Sequence, residues 1–538
     1  MRYHQALARA LHQADVDTVF GVLGDANLFA MDSYVREQGG RFLSFSHEGG
    51  AVLAAAGYTA TSGKLGVATV THGPALTNTV TALVDASRSR TPLLLIAGDT
   101  AAADRDNLQN IDQASIVLPT GALFETVRSA DTVAADVYGA ISRARSARLP
   151  VVLNVPVDLQ WAEAPDTVPP FIPTPVRSAA APDLAELDEA LGLLASARRP
   201  IVLAGRGAAG ARDALDELAA VLGAPVATSL RGKGLFAGHP YDLGVYGTLA
   251  HDIAGETIAR ADCVLAVGVA LNAWTTSKGE LTAGRRVVHI DNDPTALTRA
   301  IGATVSVLGD AEATTRALTR SLIEAETEPT GFASRELAAA LGEYRDRGAR
   351  PAPTEGIDVE LALAQIDAAV PADRTLVIDD GRFIITAYRE LTVQHPSAYV
   401  HTCSFASIGL AVASAAGAHT GRPDRPVLVV CGDGGFMSAG LTEFSTLVRH
   451  GIDAVVVVMN DSAYGAEHMQ FRARGMDPAI STFDWPDLAP VAEALGGIGH
   501  TVTDHAGLAA ALASLPGRDR PVLIDVKIDP DRVPTPGY

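Results

Sequence analysis

Two apolar runs, residues 426–430 (PVLVV) and 454–458 (AVVVV), each end in a short polar motif. This pairing constrains the fold more than any other feature of the chain. Short β-branched runs bounded by such motifs predict strands buried on both faces. The stretch 436–450 between them has a helical pattern and predicts a crossover helix, so the two strands run parallel. Asp433, in Cys431-Gly432-Asp433-Gly434-Gly435, emerges at the end of the first. Asn460, in Met459-Asn460-Asp461-Ser462-Ala463-Tyr464-Gly465, emerges at the end of the second. Ligands of open α/β sheets bind at these carboxyl ends.

The chemistry follows from the residue types. Gly432, Gly434 and Gly435 let backbone N–H groups approach a diphosphate, and the helix N-terminus adds partial positive charge. Carboxylate, amide and phosphate oxygens together suit Mg²⁺. The segment resembles the diphosphate–magnesium motif of thiamine diphosphate (ThDP) enzymes. The resemblance implies that Asp433 and Asn460 give side-chain oxygens to the metal, that Ser462 gives its backbone carbonyl, and that Ala463 and Tyr464 border the cofactor.

Alternation of apolar strands with helical stretches runs through the whole chain. It predicts an α/β protein of three doubly wound parallel-sheet domains. Proline-rich stretches, 164–182 and 326–355, read as extended connections and place the domains at 1–165, 183–325 and 356–538. The residues from Asp529 to Tyr538 read as an exposed arm or lid. A net charge of −20 argues against non-specific nucleic-acid binding. No apolar run is long enough for a membrane span. The start of the chain passes directly into a helix-like pattern, so no signal peptide is expected. Cys263, Cys403 and Cys431 lie far apart in apolar surroundings and read as reduced core residues, which predicts a cytoplasmic protein.

A second anchor lies near the start. Residues 44–60 read SFSHEGGAVLAAAGYTA, with Glu48 opening a helix of small residues. A carboxylate among such neighbours should be partly desolvated. The segment looks like the activating-glutamate segment of ThDP enzymes, where the Glu binds N1′ of the aminopyrimidine and prepares the cofactor to lose its C2 proton. The stretches 71–78 (THGPALTN) and 84–93 (VDASRSRTPL), with 20–28 (FGVLGDANL), resemble acetolactate-synthase-type enzymes. That resemblance puts Gly24, Asp25, Ala26 and Asn78 beside the cofactor or substrate. A third anchor is Ser404-Phe405-Ala406-Ser407-Ile408-Gly409-Leu410. By resemblance Ile408 is the wedge that bends the cofactor, with Ala406 and Ser407 lining it. Gly381 and Arg382, after the strand 375–378, are expected to add backbone to the diphosphate pocket.

The likeness covers nearly the whole chain. It implies a pyrimidine-binding first domain, a Rossmann-like middle domain and a diphosphate-binding third domain. It also implies that the site forms between two copies, with a homodimer as the minimal unit and a homotetramer common. The middle domain carries Gly205-Arg206-Gly207-Ala208-Ala209-Gly210 between a strand and a helix, which supports a rival reading as an NAD-dependent oxidoreductase. The next strand lacks a terminal acid for the ribose, which weakens that reading. The flavin-binding Arg segment of acetolactate synthases appears here as 268–274 (GVALNAW). Without the Arg, FAD is admitted but not favoured.

The general acid–base near the reacting carbon is sought among His72, Gln109, Glu467 and His468. Several substrate-selecting features of acetolactate synthases and pyruvate decarboxylases are missing. The expected activity is therefore a C–C bond lyase or carboligase acting on a 2-oxo acid or acyloin. A non-decarboxylating lyase of 2-hydroxy ketones or 2-hydroxyacyl-CoA is the alternative. A catalytically silent paralogue is disfavoured, because Glu48, Ile408, Asp433 and Asn460 are all present.

Overall fold

The computed structural model describes residues 1–173, 182–345, 352–353 and 355–533. The first sheet holds β1 (Thr18–Gly21), β2 (Arg41–Ser44), β3 (Gly66–Val70), β4 (Leu93–Asp99), β5 (Leu123–Thr126) and β6 (Pro150–Pro156), in the order β2-β1-β3-β4-β6-β5. The second holds β7 (Pro200–Ala204), β8 (Val226–Thr228), β9 (Asp242–Val245), β10 (Cys263–Val267), β11 (Arg286–Asp291) and β12 (Val305–Leu308), in the order β12-β11-β10-β7-β8-β9. The third holds β13 (Thr375–Ile378), β14 (Tyr399–His401), β15 (Val427–Gly432), β16 (Ala454–Asn460), β17 (Ile498–Val502) and β18 (Val522–Lys527), in the order β14-β13-β15-β16-β18-β17. Neighbouring strands pair in parallel throughout, as the helical connections require.

The first and third sheets share one strand order, and the middle sheet has the dinucleotide-fold order. In the first sheet the order reverses between β1 and β3; in the third, between β13 and β15. Ligand crevices open at such reversals. Asp25 and His72 follow β1 and β3, while Asp379 and Asp433 follow β13 and β15.

The expected crossover forms between β15 and β16. It begins at Asp433–Gly435, passes through a wider turn at Phe436–Gly440 and continues as the helix Leu441–Arg449. Central strands are apolar throughout because both faces are covered by helices. Every residue of Ala454–Asn460 is buried.

One contact fuses the outer domains. The helix Glu48–Ser62 follows β2, and the helix Ala411–Gly421 follows β14. These topological equivalents pack directly on each other. A Cβ at Gly57 would lie 2.3 Å from the Ser414 carbonyl oxygen, and one at Gly417 would lie 1.8 Å from that of Ala54. Glycine is thus what lets the two backbones touch. The apolar core is continuous across the contact, from Phe20, Leu43 and Ala54 to Val412, Val429 and Phe444.

Two stretches differ from the sequence reading. The connection after the middle domain is not extended throughout: Arg335–Arg345 is a helix, and its Leu341 is buried with Tyr246, Ile258 and Val287 of the middle domain. Apolar burial outweighs the nearby prolines there. The tail is not a free arm over 529–533, since Val533 is buried among third-domain residues. Residues 534–538 lie outside the described residues. No described helix is long and apolar enough to cross a membrane.

Candidate active site

Asp433 opens the helical segment after β15 and is buried. Burial pushes its carboxyl up, and the Trp485 indole N–H donates to its Oδ2 at 2.9 Å. Asp461 sits beside it at the end of β16. Its carboxyl is pushed up to about 7, chiefly by burial and then by the neighbouring Asp433 charge. Two carboxyl groups this close share a proton unless a cation offsets their charge. The Asn460 amide N–H donates to Asp525 at 2.8 Å, and its Oδ1 accepts the Ser462 N–H at 3.1 Å. Ser462 adopts a left-handed φ of +52°, and its carbonyl accepts the Phe483 N–H at 2.8 Å. A carbonyl oxygen keeps a second lone pair in such a bond. Among the described residues, no group of three His, Cys, Asp or Glu is placed to hold a metal. The donors here are instead mixed oxygens, and buried, crowded negative charge of this kind fits a hard divalent cation.

The turn beside this corner is shaped by close backbone packing. A Cβ on Gly434 would lie 2.9 Å from the Tyr464 ring and 3.9 Å from Cδ1 of Ile408. One on Gly435 would lie 2.8 Å from Asp379 and 3.4 Å from Cβ of Ile408. Ile408 therefore packs against the glycine turn. Asp379, at the end of β13, accepts the N–H groups of Gly409 (2.8 Å) and Leu410 (3.2 Å). Burial pushes its carboxyl up to about 7. Ala406, two residues before Ile408, has a left-handed φ of +55°, and the Ser407 hydroxyl donates to the Ile408 carbonyl at 3.3 Å. Gly381 follows Asp379 in the same turn. The Arg382 guanidinium leaves it to hold the carbonyls of Pro530 and Val533.

The first-domain residues form two groups. Glu48 starts its helix half-buried, and the Asn78 amide donates to its Oε2 at 2.9 Å. His72 is buried, with Nε2 3.7 Å from Asp25 and Nδ1 without a partner. Asp25 also accepts the Thr71 hydroxyl at 2.9 Å. Gly24 packs on Thr71, Ala26 packs on Gly98, and Gly73 (φ +59°) packs on the Gln109 carbonyl. Gly24–Ala26, His72 and Gln109 thus come together. Glu48 is placed differently with respect to Asp433 of the same chain. The adjacent His47 N–H donates to Glu443 at 3.1 Å. Glu443 lies about ten residues beyond Asp433 along one helical segment, roughly 15 Å at ~1.5 Å per residue.

Glu467 and His468 part company. Glu467 is exposed on the helix Gly465–Ala473. His468 is buried against the tail, its Nε2 3.0 Å from Asp531, which Arg472 also pairs at 3.0 Å. Two of the three glycines of the middle-domain motif, Gly205 and Gly207, have a packing explanation. A Cβ on Gly205 would lie 2.1 Å from the Gly268 carbonyl oxygen, and one on Gly207 would lie 3.0 Å from Gly268 Cα. Two loops in contact account for both glycines without a dinucleotide.

Sequence reasoning missed Asp525, Trp485 and the electrostatic role of Asp461. Asp525 had a readable signal, as an acid in the middle of the apolar strand Val522–Lys527. Trp485 lies in a loop and had none.

Three family models match the chain in order. The thiamine pyrophosphate enzyme N-terminal TPP binding domain matches residues 1–116. The central domain of the same family matches 187–318, and its C-terminal TPP binding domain matches 379–526. The acetolactate synthase isozyme 2 large subunit of Escherichia coli (strain K12) is 28% identical, over 98% of this chain and 95% of its own length. The acetolactate synthase large subunit of Parasynechococcus marenigrum (strain WH8102) is 30% identical, over 97% of this chain and 87% of its own length. Together with the three parallel sheets, these full-length likenesses establish that the chain belongs to the thiamine pyrophosphate-dependent enzymes and is acetolactate synthase-like.

Proposed function

We propose that the protein is a ThDP- and Mg²⁺-dependent carboligase that decarboxylates a 2-oxo acid and joins the remaining fragment to a second carbonyl. The observation that carries this reading is the oxygen-lined corner of Asp433, Asn460 and Ser462 beside the Gly434–Gly435 turn and Ile408. Asp433, Asn460 and the Ser462 carbonyl would hold Mg²⁺, and the glycine turn would receive the diphosphate. When bound, ThDP supplies an electron sink for the carbon that loses carboxylate.

The chain's own residues supply placement and proton control. Ile408, packed against the glycine turn, would help to shape the bound cofactor. Glu48, oriented by Asn78, would hold a proton at the aminopyrimidine ring. His72, backed by Asp25, is the group best placed to move a proton at the mouth of the first domain. His47, adjacent to Glu48, bonds Glu443, about ten residues along the helical segment that Asp433 opens, so we assign Glu48 and Asp433 to different sites. Glu48 of one copy would serve the Asp433 corner of the other, which makes a homodimer the minimal active unit and a homotetramer its expected assembly. We expect a cytoplasmic enzyme, in which FAD is admitted but not favoured.

The test strips the protein with EDTA and assays 2-oxo acids, alone and with aldehyde or 2-oxo acid acceptors, using mass spectrometry of products. Turnover should require both ThDP and Mg²⁺, release CO₂ and give a 2-hydroxy ketone or 2-hydroxy-2-alkyl-3-oxo acid. Glu48→Gln should still bind ThDP but lose about a hundredfold or more in kcat. Cleavage of an acyloin or a 2-hydroxyacyl-CoA without CO₂ would move the assignment to the non-decarboxylating lyases. Cofactor-independent turnover would overturn it.

A further inference from the structure

We propose that Asp85 is a positioning residue for the cofactor pocket, acting across the domain boundary on the loop 404–408 that carries Ile408. The inference rests on the ThDP reading above. Asp85 belongs to the first-domain helix Val80–Arg88, and only 5% of it is exposed. Its Oδ1 accepts the backbone N–H of Phe405, in the third domain, at 3.0 Å. One turn on, the Arg88 guanidinium lies over the Phe405 ring, 4.6 Å from its centroid. Phe405 is thus gripped by its backbone and by its ring, both from the first domain.

The loop beyond that grip is short. After Phe405 come Ala406 in its left-handed conformation, Ser407 and Ile408. The next two N–H groups, of Gly409 and Leu410, are held by Asp379. A buried carboxylate therefore fixes each end of the stretch whose middle sets the position of Ile408. The Asp379 end belongs to the same sheet as Asp433. The Asp85 end comes from the other domain.

A merely structural account of Asp85 fits poorly. The outer domains are already joined by the glycine-mediated contact of the helices Glu48–Ser62 and Ala411–Gly421 and by a shared apolar core. Burying an acid at position 85 is unfavourable, and its carboxyl is pushed up for that reason, with Arg231 and Arg88 offsetting part of the cost. What the acid adds is an acceptor for loop backbone N–H groups, that of Phe405 at 3.0 Å and that of Ser404 beside it. Without it the Phe405 N–H is left unpaired, and the left-handed Ala406 loses a fixed neighbour.

The experiment uses the full-length protein loaded with ThDP and Mg²⁺. Binding is read by quenching of tryptophan fluorescence, since Trp485 touches Asp433. The position of Ile408 is read by hydrogen–deuterium exchange at the cofactor C2, by acid quench and proton NMR. Asp85→Ala should keep ThDP affinity within about threefold and slow C2 exchange about tenfold. Asp85→Asn, which keeps an oxygen acceptor for Phe405, should exchange within about twofold of the wild type. Exchange at the wild-type rate in Asp85→Ala would overturn the proposal. So would equal slowing in both variants, which would make charge rather than the hydrogen bond responsible. If Asp85→Ala is recovered unfolded, Asp85→Ser is read in its place, because its side chain is too short to reach Phe405. A wild-type protein that neither binds ThDP nor accelerates C2 exchange over the free cofactor would instead overturn the ThDP reading, a separate result.

Discussion

The side-chain amide of Asn460 donates to the buried carboxylate of Asp525 at 2.8 Å, and this bond decides which end of the amide faces the Ser462 turn. The other oxygen of Asp525 takes the Leu488 N–H at 2.9 Å and the Lys527 ammonium at 2.8 Å. Asp525 can therefore only accept, which leaves the Asn460 amide oxygen facing the Ser462 turn, where it would meet the proposed cation. Asp525→Ala should weaken Mg²⁺-dependent ThDP binding by about tenfold or more, measured by tryptophan quenching. It should also lower stability by about 2–3 kcal/mol in denaturant melts, because Leu488 N–H and Lys527 lose a buried partner.

Asp379 gives a pH dependence. Its folded-state carboxyl is pushed up to about 7 by burial, against about 3.9 in the unfolded chain. As pH rises from about 4 to about 7 the unfolded state releases this proton while the folded state keeps it, so stability falls over that window. A shift of this size contributes as much as about 4 kcal/mol. Cofactor-free protein should therefore be less stable at pH 8 than at pH 5, and Asp379→Asn should flatten the slope. Urea melts at several pH values check both.

Asn78 fixes Glu48 from outside the helix that carries it. Asn78→Ala should leave the carboxylate present but free to rotate. The expected result is a loss of about tenfold in kcat with little change in substrate KM. Steady-state kinetics at saturating ThDP checks the split.

Gly417 meets the Ala54 backbone, so even a methyl group has no room. Gly417→Ala should cost about 3 kcal/mol or more through overpacking. Gly192 offers a control, since no atom lies within 4 Å of a Cβ built there. Gly192→Ala should leave the melting temperature nearly unchanged, and thermal melts compare the two.

The elements of the third domain were legible because strand-like apolar runs and turn motifs alternate there without ambiguity. Asp433, Asn460 and Ile408 could be singled out by motif, and the structure sets Asp433 and Asn460 at the ends of neighbouring strands with Ile408 against the glycine turn. What stayed hidden depends on distant pairing. Asp525 reaches Asn460 from another strand, and Asp85 reaches Phe405 from another domain. Local patterns carry no record of such partners. The helix Gly465–Ala473 shows the same limit: Glu467 and His468 are adjacent in sequence, yet one is exposed and the other is claimed by Asp531 of the tail. The helix Arg335–Arg345 was obscured because its burial depends on apolar surface that the middle domain supplies from far along the chain.

The helix Glu48–Ser62 is buried on nearly every side, and much of its cover comes from the third domain. Residues 1–165 cut from the chain would display that uncovered face and have no replacement for it. Excision of the outer lobes as separate fragments should yield sticky, unstable pieces, and in the intact protein they should melt as one cooperative block.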